Sequence, residues 1–437
     1  MRSLVLLGED GAPFLDKAKP IAYIIDGKSW VNNHAHVLRP LQGLTSNQYI
    51  KFFLDTFDFS EYVTGSTRLK LNQGAMVRIP FTLSPANEQQ RIVTKVEDLL
   101  AHVNTSLEHL AKVPKILKAF RQSVLAAACS GRLTEDWRQQ NRTHENTETT
   151  LLTIRKSREA EAKSLTQREK LKQIYATLEE NDSGELPETW RFVSLNKLST
   201  SFDYGTSAKS HPSGKVPVLR MGNIQNREID WADLVYTSDI EEIRHYSLQP
   251  NTVLFNRTNS PELVGKTAVY RGERPAIFAG YLIRVVPVHQ LDPQYLNLSL
   301  NTNAAREFCL RVRTDGVSQS NINAQKLGAF EVPFCPLEEQ HEIVRRVGVL
   351  FKLADAIQRR ITAATKRAEK LTQSILGKAF RGELVPTEAE LARHQGRDYE
   401  PASVLLDRIK SQRQSEPKRP DHSPRRKQQN PKRPSRL

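Results

Sequence analysis

One pattern occurs twice in this 437-residue chain at a constant offset of 251 residues, and it constrains the fold more than any bulk property does. Pro85-Ala-Asn-Glu-Gln-Gln-Arg-Ile-Val93 returns as Pro336-Leu-Glu-Glu-Gln-His-Glu-Ile-Val344. Gln122-Ser-Val-Leu125 returns as Gln373-Ser-Ile-Leu376, and Gly131-Arg-Leu133 as Gly382-Glu-Leu384, without a gap. Aligning 85–133 on 336–384 gives 14 identities in 49 positions, against roughly three expected from ordinary composition. The chain is an internal duplication, and whatever it folds into is built from two related halves.

The copied stretch has helical character. Ile343, Val347, Leu350, Ala354, Ile357, Ile361, Ala364, Ala368, Leu371 and Ile375 step four, three, four, three, which is the apolar seam of a heptad repeat. The first copy keeps the register with Ile92, Val96, Leu99, Val103, Ser106, Leu110, Val113, Leu117, Phe120 and Val124, Ser106 alone being polar. Each run would form a rod of roughly 50 Å at ~1.5 Å per residue. So narrow a stripe needs a partner stripe, and its own duplicate is at hand. Pro114 removes a backbone donor and crowds the preceding turn, which predicts a kink or break near Val113.

Around the rods the sequence predicts globular segments. Val216-Pro-Val-Leu-Arg220, Thr252-Val-Leu-Phe255, Thr267-Ala-Val-Tyr270 and Tyr281-Leu-Ile-Arg-Val-Val286 read as short strands punctuated by glycines, 293–312 reads as helical, and Phe330-Glu-Val-Pro333 reads as a last strand. The front segment follows the second half of this plan. Trp30-Val-Asn-Asn-His and Val37-Leu-Arg-Pro resemble the Tyr281 strand, and both copies close on a strand ending in Pro-Phe, at Pro80-Phe81 and Pro333-Phe334. The partition is 1–84, globular; 85–133, first long helix; 134–185, helical connector; 186–335, second globular domain; 336–385, second long helix; 386–411, helical; and 412–437, a basic disordered tail. The front domain is about 66 residues shorter than the second (84 against 150), which predicts an exposed sheet edge and an unfilled core.

The net charge is +15, of which the tail from Arg413 onward carries +7, nine basic residues against two acidic, so polyanions are natural partners. Cys129, Cys309 and Cys335 match no metal spacing and read as packing residues of a reducing compartment. The early Leu-Val-Leu-Leu run meets Glu9 and Asp10 too soon for a signal peptide or membrane span, so the expectation is a cytoplasmic protein without a membrane partner. There is no Asn-Pro-Pro-aromatic methyltransferase motif, phosphate-binding Gly-Lys-Ser/Thr loop or nuclease carboxylate cluster. His34 and His36 have no neighbours to complete a metal site, and none is expected.

The globular–rod–globular–rod order, the Pro-x-x-Glu-Gln-x-x-Ile-Val opening of each rod and the Gln122 to Arg138 ending together resemble the specificity subunit of type I restriction-modification systems. Leu186-Pro-Glu-Thr-Trp190 is similar to the opening of that family's target recognition domains. Val253-Leu-Phe-Asn-Arg-Thr-Asn259 with Gly265-Lys-Thr-Ala, and Gly27 to His34, are similar to stretches inside them. The resemblance implies an α+β protein: two globular mixed α/β target recognition domains, the first incomplete, separated by two long helices forming an intramolecular antiparallel coiled coil. It implies a non-catalytic subunit that reads a split target in double-stranded DNA from the major groove, the helices fixing the distance between the parts. Two methyltransferase (modification) subunits would dock on the helices and carry S-adenosylmethionine, and restriction subunits would use ATP and Mg for translocation and cleavage. This chain would carry no cofactor itself. The helix seam at Ile92, Val96, Leu99, Val103, Leu110, Ile343, Val347, Leu350, Ile357, Ile361, Leu371 and Ile375 would form the coiled-coil and subunit interface.

Residue chemistry nominates the DNA contacts, since Arg and Lys read guanine, Asn and Gln read adenine, and all reach phosphates. In the second domain the candidates are Lys209, Arg220, Asn256, Arg257, Asn259, Lys266, Arg284, Arg313 and Gln319, with 256–260 and 316–323 as the richest loops. In the front domain they are Lys28, Asn32, Asn33, His34 and Arg68. Alternative readings are a coiled-coil scaffold that binds nucleic acid without sequence preference, and an enzyme with an unrecognised site.

Overall fold

The computed structural model describes residues 3–16, 19–41, 43–141, 147–176, 186–316 and 319–415. The chain forms two compact units, Met1–Lys112 with Ile361–Leu437, and Val113–Arg360. Two helices of 44 residues each, Ala86–Cys129 and Leu337–Phe380, begin and end at the same 251-residue offset as the sequence repeat and contribute a segment to each unit.

In the unit Val113–Arg360, Thr252–Asn256 lies between Thr267–Tyr270 and Leu282–Pro287, and Ser199–Tyr204 pairs with the outer edge of Leu282–Pro287, all antiparallel. The strand Thr252–Asn256 is buried along its whole length because both faces are covered. On one face Val253, Phe255, Ile283 and Val285 meet Tyr295, Leu296, Trp190 and the helix residues Val124, Leu125, Ile343 and Val347. On the other, Leu254, Ala268, Tyr270 and Leu282 are capped by Leu219, Ile224, Leu248 and Phe278. Arg191–Ser194 pairs antiparallel with Glu331–Phe334, which places the domain's opening beside its close.

In the other unit, Leu4–Gly8 is the middle strand between Ala22–Ile25 and Ala35–Leu38. The same order of middle, left and right strands recurs at 252–256, 267–270 and 282–287, so the Leu-Val-Leu-Leu run is the counterpart of Thr252–Asn256. The expectation of an unfilled core is overturned on one face of this sheet: Val5, Leu7 and Ala22 are closed over by Phe14, Phe53, Leu54, Phe59 and Leu71. On the opposite side Tyr23 and Val37 are each 47% exposed. Trp30 is not in a strand and is 97% exposed; the strand starts at Ala35. Pro80-Phe81 is not a strand either. Its counterpart Pro333-Phe334 is held by a ladder to Arg191–Ser194, and the described residues of the front domain contain no such partner.

The first long helix is continuous from Ala86 to Cys129 through Pro114, so of the expected kink or break the break does not occur. Proline forfeits one hydrogen bond and strains one turn, whereas Leu117 in the following turn is buried and Leu110 and Val113 in the preceding turn are half-buried. The described residues of the connector form three helices, Glu135–Gln140, Thr147–Glu161 and Leu165–Ala176. After Glu388–Gln395, the helix Ala402–Ser415 extends past residue 411, so the first residues assigned to the tail are helical; 416–437 lie outside the described residues. No helix among the described residues is long and apolar enough to cross a membrane.

Candidate nucleic-acid interface

In the unit Val113–Arg360 the two richest loops meet. The main strand ends at Asn256, the chain passes Arg257, and Thr258–Asn259 pairs antiparallel with Ser320–Asn321, which pairs in turn with Thr314–Asp315. The product is a small polar ledge beyond the apolar strand. Its brace is Arg257, whose guanidinium donates to the Gly280 carbonyl at 3.1 Å and Asn321 Oδ1 at 3.0 Å and lies over the Tyr204 ring at 4.7 Å. Asn321 Nδ2 donates on to Thr258 Oγ1 at 2.9 Å. Thr258, Asn259 and Asn321 are half-buried and Gln319 is exposed at the rim; 317–318 lie outside the described residues.

The candidates in this unit divide by surroundings. Asn256 has 0% exposure; its backbone closes the 257–265 loop through Lys266 and Gly265, and its amide lies 3.5 Å from the Leu263 carbonyl. Its side chain therefore shapes the loop and does not face solvent. Arg284 is bound by Asp203 at 2.9 Å and by the Ser247 carbonyl, Arg220 by Asp233 at 3.1 Å, and Arg313 by Asp315 at 2.8 Å. Lys266 reaches Gln225 at 3.3 Å, and Lys209 is exposed.

The front domain builds the same ledge from different residues. Glu9 N donates to the His34 carbonyl as Arg257 N does to Tyr281, and Leu71 N donates to Glu9 O as Ile322 N does to Arg257 O. Asp10 bridges Lys70 where Thr258 pairs with Asn321. Sequence reading missed Asp10, whose carboxylate accepts from Arg68 Nη2 at 2.7 Å and meets His34 Nδ1 at 2.9 Å. The His34 bond, joined by Arg68, holds the Asp10 carboxyl below its ordinary value. Lys70 pairs with Glu9 at 3.1 Å. Lys28, Asn32 and Asn33 are exposed, Asn32 Oδ1 accepting from the His34 backbone at 3.1 Å. His36 turns to the Leu71 carbonyl at 2.7 Å, so the His-x-His pair has separate partners.

The long helices pack differently from a strict heptad seam. In the unit that holds the front domain Ile92, Val96 and Val103 are buried against Ile375, Leu376 and Ala379, with Leu99, Leu100, Leu107 and Ala368 alongside. The start of the first helix thus meets the end of the second. In Val113–Arg360 the reverse ends meet: Val124, Leu125 and Ala128 against Ile343 and Val347, with Leu350 partly buried. Leu110, Ile357 and Ile361 are half-buried. Leu371 is 50% exposed and leaves the seam, Ile375 and Leu376 being buried in its stead. Ser106 is also exposed and Leu107 takes the contact. A straight helix drifts by ~20° per heptad against a 3.5-residue stripe, so the contact line slides by one residue.

Buried polar groups tie globular parts to helix starts, again in duplicate. Tyr49 donates to the Thr82 carbonyl at 3.0 Å and Tyr295 to the Pro333 carbonyl at 2.5 Å. Gln89 donates to Leu44 and Ser84 carbonyls, and Gln340 to Gln290 and Cys335 carbonyls. Glu339, 1% exposed, accepts from Thr134 at 2.6 Å, Arg138 at 2.5 Å and Trp190 Nε1 at 2.9 Å. These are the Glu-Gln of the repeated motif and the Trp of Leu186-Pro-Glu-Thr-Trp190. A further tie, with no sequence signal, is Arg227, in left-handed backbone at φ 69°, whose guanidinium lies 4.4 Å from the Phe351 ring centre.

The fold is one of sheet-containing domains separated by long helices, with polar ledges at strand ends. Residues 20–114 and 187–367, more than half of the chain, match the type I restriction modification DNA specificity domain, and the chain belongs to this family. It is 28% identical over 343 residues to the type I restriction enzyme EcoKI specificity subunit of Escherichia coli strain K12, covering 77% of this chain and 64% of that one. It is 27% identical over 432 residues to the EcoDI specificity subunit of Escherichia coli, covering 94% and 84%. The chain thus spans just under two thirds of the length of the EcoKI subunit, and the same 64% of the EcoBI subunit. A solved structure from a study of complex assembly and conformational transition in the type I R-M system superposes with a TM-score of 0.63 at 18% identity, covering 87% of this chain and 82% of that one, a likeness of fold.

Proposed function

We propose that this chain is the DNA sequence-recognition subunit of a type I restriction-modification complex. It reads a split double-stranded target, one half through each globular domain, and docks two methyltransferase subunits and the restriction subunits. The observation that carries the reading is the duplication of domain plus 44-residue helix, with the family match falling on both copies. The protein performs no chemistry; S-adenosylmethionine, ATP and Mg act in the partner subunits, and the complex works in the cytoplasm. Helix length then governs the spacer between half-targets. The polar ledges around Arg257 and Asp10 are the base-reading elements, because amides, hydroxyls and guanidinium groups can follow the donor and acceptor pattern of the major groove.

Co-expression with the adjacent methyltransferase gene, followed by mapping of methylated adenines across the host genome, tests this. A single two-part motif is expected. Methylation without a motif, or binding that ignores competitor sequence and collapses with salt, would support the non-specific scaffold.

A further inference from the structure

The ledges of the two domains occupy one topological position but carry opposite chemistry. Where the second domain has Arg257-Thr258-Asn259, the front domain has Glu9-Asp10-Gly11, matched through the backbone bonds of Glu9 to His34 and Leu71. Arg257 is turned inward and spent on Gly280, Asn321 and Tyr204. In the front domain the cation comes from the facing segment: Arg68 is 65% exposed, while the carboxylate that holds it is 16% exposed.

We infer that Asp10 buttresses Arg68 and His34 as a set whose Arg68 guanidinium reads a guanine in the half-target of the front domain. This deepens, and rests on, the function proposed above. Three features build the set. Asp10 uses separate oxygens, Oδ1 for Arg68 at 2.7 Å and Oδ2 for His34 at 2.9 Å, so both side chains are oriented at once. Gly11, at φ +66°, leaves its Cβ position open beside the guanidinium: a methyl group there would stand 3.3 Å from Arg68 Nε. Asn32 Oδ1 fixes the His34 backbone, so the ring is aimed by its own loop as well as by Asp10. The Nη2 bond leaves the rest of the Arg68 fork for the O6 and N7 acceptors that guanine alone presents as a pair. A carboxylate behind an arginine restricts its rotamers before binding, which lowers the ordering cost of the contact.

The test uses the intact complex with its methyltransferase, comparing methylation motifs for wild type, Asp10→Asn and Arg68→Lys. Arg68→Lys keeps the charge but loses the planar fork, so preference for guanine at one position of one half-target should fall about tenfold or more, with the other half unchanged. Asp10→Asn should relax that same position, and Asp10→Glu should restore part of it. Retention of the wild-type motif by both variants would overturn the inference, as would a uniform loss at every sequence, which marks a phosphate contact. If Asp10→Asn prevents assembly, Arg68→Lys still decides. A wild-type complex that methylates no motif would instead sink the proposed function, and this inference with it.

Discussion

Glu339 shows how much one buried carboxylate can hold. It accepts from a hydroxyl, a guanidinium and an indole in the unit Val113–Arg360, and Arg138 also lies 5.8 Å from the Trp190 ring centre. Glu339→Ala would leave Arg138 without its charge partner in a closed site, so a loss of about 3–5 kcal/mol is expected in urea unfolding. The repeated Pro-x-x-Glu-Gln motif made the residue visible in the sequence, but its role was not, because Trp190 is 149 positions away. Asn256 failed in the opposite direction. An amide after an apolar run reads as a loop residue ready for adenine, yet the strand continues through position 256 and buries it. Asn256→Ala should therefore cost about 1–2 kcal/mol in stability while leaving the methylated motif unaltered; a changed motif at normal stability would return Asn256 to the reading surface.

The helices were the most legible elements, since 44-residue runs with a continuous apolar stripe have few alternatives. Their ends followed from the repeat, but the local phase did not, because a heptad template assumes supercoiling that a straighter helix lacks. Ile375→Ala, at a 6% exposed position, should destabilise by about 2–4 kcal/mol, whereas Leu371→Ala, at 50%, should cost under about 0.5 kcal/mol. Equal losses would restore the strict seam. Pro114→Ala restores a donor inside an unbroken helix and should raise stability by about 3 kcal/mol at most, read as a shifted denaturation midpoint. Strands were legible in the second domain, where β-branched runs lie between glycines. The front counterparts were harder, because Leu4–Gly8 is leucine-rich and Pro80-Phe81 has no ladder partner among the described residues.

Among the described residues, several carboxyls are held below their ordinary range by arginine partners. Hydrogen bonds from Arg345, with Arg346, pull Glu342 down to about 2, and Arg346 likewise lowers Asp136. Burial pushes Glu388 upward, but Arg397, Arg91 and Asn87 more than offset it and leave the carboxyl below its ordinary value. A carboxyl lower in the folded than in the unfolded chain stabilises fully above the ordinary carboxylate range and loses that contribution as the pH falls toward the folded value. Stability should therefore be level from pH 7 to about 5 and fall between about 4.5 and 2. Salt should diminish the share from exposed pairs such as Arg345 with Glu342. A flat acid profile by thermal melting would contradict this.

The organisation argued here assigns one half of a split target to each globular domain. The most direct measurement exchanges residues 186–335 for the corresponding domain of the EcoDI subunit and maps methylated adenines in cells that also supply the methyltransferase. One half of the motif should change to that of the donor while the other half stays as it was. A motif altered in both halves, or in neither, would contradict the account.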